Sequence, residues 1–291
     1  MSQIFKAACI QLNSQREIDD NLVGAIEFIR QARSAGADLI TMPENVTMMG
    51  HRSRDIRGLA MPENEHIALA AFRVVARDTG AWLLLGSLGI SAGDGRVHNR
   101  SYLIDSDGEI VARYDKIHMF DVDLSSGESY CESKNFKPGG DAVIAPTPWG
   151  LLGLTICYDV RFPHLYRSLA KAGAQFFTIP SAFTRTTGTA HWHVLLRSRA
   201  IETGCYVIAP AQCGIHPGER QTYGHSLIVS PWGEVLSDGG ENPGIVIAEI
   251  DPAKVEEARH MLPSLTHDQP IPEPKVTAVL SEESKLAIGQ L

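Results

Sequence analysis

The amino-acid sequence predicts an α/β fold in which two sheets pack face to face and helices cover their outer sides. Three observations lead there. Short apolar runs alternate with helix-periodic segments early in the chain. Hairpin turns appear in the middle and again around Trp232. No internal repeat, low-complexity tract or linker divides the sequence. One domain over residues 1–291 is expected, with its core at about 4–262 and an irregular, proline-rich tail at 263–291.

Each element has a local reason. Residues 4–12 are an apolar run of strand length. Residues 17–35 place Ile18, Leu22, Ile26 and Ile29 at helical spacing, and Gly36 supplies the stop. Residues 39–42 read as a short buried strand, 65–79 as a second helix and 82–88 as a third strand. Residues 97–104 and 109–113 flank Asp105-Ser106-Asp107-Gly108, whose Asp-Gly step marks a hairpin. Residues 120–138 are long, polar and rich in Ser and Gly, and read as a functional loop. Strand-type runs return at 142–145, 151–156, 175–179, 206–209, 226–230 and 245–250. Helices are expected at 162–171, about 191–203 and 252–262, and Pro231-Trp232-Gly233-Glu234 is a second hairpin turn.

Composition excludes several function classes. The chain has 291 residues, 44% of them apolar and 21% charged, with a net charge of −8 and no basic block. That speaks against nucleic acid or an anionic membrane as the partner and suits a small polar molecule. Five scattered cysteines (Cys9, Cys131, Cys157, Cys205, Cys213) without a CxxC pair make neither a disulfide framework nor a structural zinc site. The start lacks a basic region followed by a long apolar stretch, and the longest apolar run, residues 81–86, is too short to span a bilayer. A protein of the reducing cytoplasm is expected.

Three residues sit in apolar, strand-like settings and carry complementary chemistry: Glu44 and Cys157, which close apolar runs, and Lys116 within Tyr114-Asp115-Lys116-Ile117-His118. A carboxylate, an ammonium and a thiol can serve as proton shuttle, oxyanion clamp and nucleophile. Taken singly, each has an ordinary alternative: a surface carboxylate, a solvated lysine, a core cysteine. Cys157 is followed at once by polar residues and then by Pro163, a strand–turn–helix pattern that would expose the sulfur near a helix N-terminus and lower its pKa. Glu44 against apolar walls would have a raised pKa. Asp159 and Arg161 flank the cysteine and read as an ion pair holding the turn. The spacing of His191 and His193 puts their rings on different faces of a helix, so a metal pair is not expected.

Met42-Pro43-Glu44-Asn45, residues 114–121 (Tyr-Asp-Lys-Ile-His-Met-Phe-Asp) and residues 154–163 (Leu-Thr-Ile-Cys-Tyr-Asp-Val-Arg-Phe-Pro) together resemble the nitrilase superfamily of carbon–nitrogen hydrolases. The likeness runs from Phe5 to about Leu262. It implies a four-layer αββα sandwich, no metal or organic cofactor, and a homodimer or higher homo-oligomer. It also implies a Glu44–Lys116–Cys157 triad, with the backbone N–H of Tyr158 beside Lys116 in the oxyanion hole. A second glutamate of the family pattern falls on Glu132, with Glu128 as the less suitable match. Further runs, among them Pro180-Ser181-Ala182-Phe183-Thr184 and Tyr223-Gly224-His225-Ser226, are similar to the Nit-type amidases. That branch implies hydrolysis of a small carboxylate-bearing amide through a thioester, with release of ammonia. Deaminated glutathione ranks first as substrate and α-ketoglutaramate second; nitrile and N-carbamoyl substrates, and an inactive assembly protein on the same fold, are the alternatives. Such substrates need a cation, and Arg185 is expected to clamp the carboxylate at a pocket rim formed with Phe183 and Thr184. His193 departs from the acidic residue expected after His-Trp.

Overall fold

The structure is a computed structural model that describes residues 3–50, 52–124 and 127–275. The first half of the chain builds one sheet. β1 (Phe5–Gln11), β2 (Leu39–Thr41) and β3 (Trp82–Ser91) run parallel, because α1 (Ile18–Ser34) and the pair α2 (Ser53–Leu59) and α3 (Ile67–Thr79) carry the chain back between them. β4 (Val97–Ile104) and β5 (Ile110–Asp115) add antiparallel strands through the Asp-Gly turn.

A small hairpin of β6 (Asp121–Asp123) and β7 (Ser129–Cys131) leads into the second half, which repeats the plan. β8 (Val143–Thr147) pairs antiparallel with β9 (Gly150–Leu154). β9, β10 (Phe176–Thr178) and β11 (Tyr206–Ala209) are parallel, with α4 (Pro163–Lys171) and α5 (Arg185–Thr203) as crossovers. After the hairpin of β12 (Cys213–Ile215) and β13 (Gln221–Tyr223), β14 (Leu227–Val229) and β15 (Val235–Asp238) complete that sheet. β16 (Gly244–Ile250) returns to pair with β1, and α6 (Ala253–Met261) follows. The two six-stranded sheets have the orders β16-β1-β2-β3-β4-β5 and β15-β14-β11-β10-β9-β8.

The layers follow from strand periodicity. In β1, Ala7 and Cys9 face the second sheet, whereas Ala8 and Ile10 face α1 and α3. Phe5, Leu39, Leu84, Leu152, Phe176 and Val207 share the inter-sheet core. There Phe5 stacks on Trp149 with ring centroids 4.4 Å apart. α1 and α3 cover one sheet with Ala25, Ile29, Phe72 and Val75. α4 and α5 cover the other with Tyr166, Leu169, Trp192 and Leu196. The architecture is the expected αββα sandwich.

The structure corrects the sequence reading at three places. The polar stretch 120–138 contains β6, β7 and a helical turn at Glu132–Lys134 rather than being a plain loop; residues 125–126 lie outside the described residues. α2 and the β12–β13 hairpin carry no strong periodicity and were not expected. α5 begins at Arg185, six residues before 191, because Thr184 caps it by accepting from the Thr187 N–H. Of the tail, residues 263–275 carry no helix or strand, and residues 276–291 lie outside the described residues.

Gly86 sits where the β3–β4 register shifts, and the end of β2 crosses directly over it. A Cβ there would lie 2.1 Å from the Met42 carbonyl oxygen and 2.3 Å from that of Pro43. Gly86→Ala should therefore cost ~1–3 kcal/mol of stability in urea unfolding, the range for forced overpacking. Gly24→Ala, on α1 with nothing within 4 Å of the added methyl, should be neutral or stabilising by up to ~1 kcal/mol. Equal effects at the two sites would contradict the close approach.

Candidate active site

The carboxyl ends of the parallel strands of both sheets open on one side of the sandwich, where ligand sites of parallel sheets gather. β2 delivers Glu44 there, β9 delivers Cys157, and β5, one sheet edge away, delivers Lys116. The three converge in a pocket of about 410 Å³ that is also lined by Phe120, Tyr130, Glu132, Tyr158, Phe183 and Arg220.

Glu44 is held from several directions. The backbone beyond it turns through Asn45 at φ 58°, and the Asn45 N–H donates to Ser87 Oγ at 2.8 Å. Gln212 Nε2 donates to the Glu44 carbonyl at 3.0 Å. The carboxylate accepts from Lys116 Nζ at 2.9 Å, from Asn99 Nδ2 at 2.8 Å and from the Ala182 N–H at 2.9 Å. Lys116 is 2% exposed and also donates to both oxygens of Glu132, at 2.9 and 2.8 Å. Glu132 is fixed in turn by the Phe120 N–H at 2.7 Å. An ammonium thus lies between two carboxylates, the arrangement that makes a buried lysine tolerable.

Cys157 sits at φ +50°, in the left-handed region that non-glycine residues seldom adopt. Its N–H donates to the Pro180 carbonyl at 2.9 Å, and its thiol and the Glu44 carboxylate each perturb the other's ionisation. The turn after it, Cys157–Arg161, is held by Asp159, which is fully buried. Asp159 accepts from the Ile156 N–H at 2.8 Å, Tyr114 Oη at 2.6 Å and the His118 N–H at 3.1 Å. The expected Asp159–Arg161 pair is not formed. Asp159 instead ties the Cys157 turn to the two sides of Lys116, and the Arg161 guanidinium lies 5.1 Å over the Phe183 ring.

The electrostatics differ from the sequence expectation in two respects. Burial pushes the Cys157 thiol well above its usual range, and the adjacent Glu44 carboxylate adds to this; Lys116 only partly offsets them. Burial would raise Glu44 too, but the Lys116 ammonium outweighs it and holds the carboxyl below its ordinary value. Burial disfavours charge on Lys116 as well, yet Glu132 and Glu44 overcome it and keep the ammonium far above the ordinary lysine range. The site therefore holds a neutral thiol beside an ionised carboxylate and an ammonium.

Of the residues expected at the substrate, Tyr158, Phe183 and Thr184 line the pocket. Arg185 does not: it lies in the first turn of α5, more than half exposed, where it pairs with Glu241 at 3.2 Å. Arg220, which lines the pocket in addition to Lys116, was missed, since it follows Gly218-Glu219 in a polar stretch that reads as an ordinary turn. Glu128 also lines the pocket, held by Tyr130 Oη at 3.0 Å and Thr186 Oγ1 at 2.7 Å. His191 faces Arg161, whereas His193 meets His225 and Asp238, their ligand atoms within 4.8 Å of one another. That group lies outside the pocket lining.

Residues 6–260 match the family model described as carbon–nitrogen hydrolase, and the chain belongs to this family. It is 41% identical over 90% of its length to a deaminated glutathione amidase of Synechocystis, covering 97% of that protein. To the human deaminated glutathione amidase it is 39% identical over 90% of its length, covering 82% of that protein. Among solved structures it resembles the Caenorhabditis elegans NitFhit protein, with a TM-score of 0.87 and 38% identity over 92% of this chain and 66% of that one. An amidase of Nesterenkonia sp. superimposes with a TM-score of 0.75 at 26% identity, over 89% of this chain and 98% of that one; it is described with acrylamide added to its active-site cysteine.

The charge cluster makes a pH-dependent contribution to stability. Glu44 has a folded-state pKa below its ordinary 4.5, so its contribution is complete above that value and is lost as pH falls through the lower folded value. Lys116 is raised, so its contribution is complete below 10.5 and is lost as pH rises through its folded value. Lys116→Met leaves Glu44 and Glu132 without their cation and should cost ~3–5 kcal/mol near neutral pH. That deficit should shrink as pH falls below 4.5, in urea unfolding followed across pH. A deficit independent of pH would contradict the charged cluster.

Proposed function

We propose that the chain hydrolyses the amide of a small carboxylate-bearing acid through a thioester on Cys157, with deaminated glutathione as the first substrate. The observation that carries this reading is the convergence of Glu44, Lys116 and Cys157 in one pocket. The names of the relatives above support the substrate.

The chemistry divides among the residues as follows. The Cys157 sulfur attacks the amide carbonyl carbon while Glu44 accepts the thiol proton. The carbonyl oxygen becomes an oxyanion, held by Lys116 Nζ and the Tyr158 N–H; the first N–H groups of a helical turn have no acceptor within it. Loss of one such donor costs about 2.7–4 kcal/mol of barrier. The tetrahedral adduct collapses as the C–N bond breaks, and protonated Glu44 gives its proton to the departing nitrogen. Glu44 then takes a proton from water as its oxygen attacks the thioester carbon, and returns it to the sulfur when the C–S bond breaks. Glu132 keeps Lys116 in place and charged, which the two short bonds between them support.

The leaving group separates the two substrates. Deaminated glutathione has no primary amide, so its acyl transfer releases the amine of a dipeptide. An ω-amide such as α-ketoglutaramate releases ammonia, the product expected from the sequence. Both leave the same acyl group on sulfur.

A panel containing deaminated glutathione, α-ketoglutaramate, a nitrile and an N-carbamoyl acid, scored for free amine, ammonia and carbon dioxide, tests the reading. Turnover is expected for the first two, highest for deaminated glutathione, and should vanish in Cys157→Ala. Glu132→Gln should lower kcat by at least ~100-fold, the scale for a lost oxyanion donor. A preference for the nitrile or the carbamoyl acid would overturn the substrate class; a Glu132→Gln rate within a few-fold of the parent would remove its role.

A further inference from the structure

The pocket contains two cations, and they differ in how far their donors are committed. Lys116 is consumed by Glu44 and Glu132. Arg220 makes no ion pair among the described residues. Its Nη2 donates to the Ala182 carbonyl at 2.9 Å and its guanidinium carbon lies 5.4 Å over the Tyr130 ring. Its Nε is buried and has no hydrogen-bond partner. A guanidinium carries five N–H donors. Among the described residues only Ala182 accepts from this one, so a planar, charged fork faces the pocket with most of its donors unspent.

A buried donor left without an acceptor is costly, and its presence in a lined cavity points to an acceptor brought by the ligand. The chemistry of a guanidinium selects a carboxylate, bound bidentately. Position adds to this. The Ala182 N–H donates to Glu44 and its carbonyl accepts from Arg220, so one residue's backbone sets the guanidinium's place relative to the reacting carboxylate. The Tyr130 ring packs against the same guanidinium. The remaining charged groups of the pocket, Glu44, Glu128, Glu132 and Glu219, are acidic, so a carboxylate ligand has no other uncommitted cation to meet among the described lining residues.

We propose that Arg220 forms the carboxylate subsite of this pocket and receives the carboxylate at the far end of the substrate's acyl chain. This rests on the amidase reading above, whose two substrates share the same acyl group. Arg185, the cation expected from the sequence, is engaged elsewhere, and Arg220 takes the part assigned to it.

The test compares glutaramate, an amide with a terminal carboxylate, with pentanamide, which lacks one, using the full chain and its Arg220→Met and Arg220→Lys variants. Arg220→Met should lower the ratio of kcat/KM for glutaramate over pentanamide about 10- to 100-fold, the worth of a charge-assisted hydrogen bond, with the change mainly in KM. Arg220→Lys should restore part of the ratio, because it keeps the charge but not the fork. An unchanged ratio would overturn the proposal even if both rates fall, since that is the signature of a structural arginine. Glutarate binding, measured calorimetrically, keeps the question separate from turnover. Binding by the parent that is lost in Arg220→Met supports the subsite even if no amide is hydrolysed. Equal glutarate binding by both, or none by the parent, rejects it.

Discussion

The site depends on one buried ammonium. Lys116 is the point at which the ends of β2 and β5 and the β6–β7 excursion meet, because its Nζ bonds Glu44 from the end of β2 and Glu132 from the turn after β7. Removing two carboxylates and an amine from water is expensive, and only mutual pairing with further hydrogen bonds makes it tolerable. Asn99, Ala182 and Phe120 supply those bonds. The cluster is thus more a positioning device than a source of stability. It keeps Glu44 ionised and Lys116 charged, beside a Cys157 thiol that retains its proton.

Backbone geometry does the rest of the positioning. Cys157 sits in a left-handed conformation at the foot of a helical turn, and a fully buried aspartate holds that turn. Since Asp159 also accepts from Tyr114 and His118, the Cys157 turn is fastened to the strand end that presents Lys116. Gly86 allows the end of β2 to pass close over β3, which sets the height of Glu44. Thiol, acid and amine are placed by three connected backbone segments, not by side-chain choice alone.

Much of this was legible in the sequence, for definite reasons. Strands such as β1 and β9 are apolar runs with clear limits, and α1 shows its buried face at Ile26 and Ile29. Glu44 and Cys157 each close such a run and Lys116 lies in a strand-like stretch, so their positions at the end of a sheet could be read. What failed depends on long-range contacts. Arg185 looked like a pocket residue because it follows a strand, but the cap at Thr184 turned it into a helix and aimed it at Glu241. Arg220 lies in a polar hairpin without periodicity, and only the approach of Ala182 and Tyr130 gives it meaning. The pKa directions of Cys157 and Glu44 were misjudged, since helix placement and burial were weighed without the lysine and carboxylate that face them.

The central claim is that the sulfur of Cys157 becomes covalently acylated during turnover. Rapid acid quench of the protein during steady-state hydrolysis, followed by peptide mass spectrometry, measures this directly. The account predicts an adduct on Cys157 with the mass of the substrate's acyl group, absent before substrate is added and gone once it is exhausted. Turnover with Cys157 unmodified at every quench time, in a reaction whose acylation step is not rate-limiting, or an acyl group on another cysteine, would contradict it.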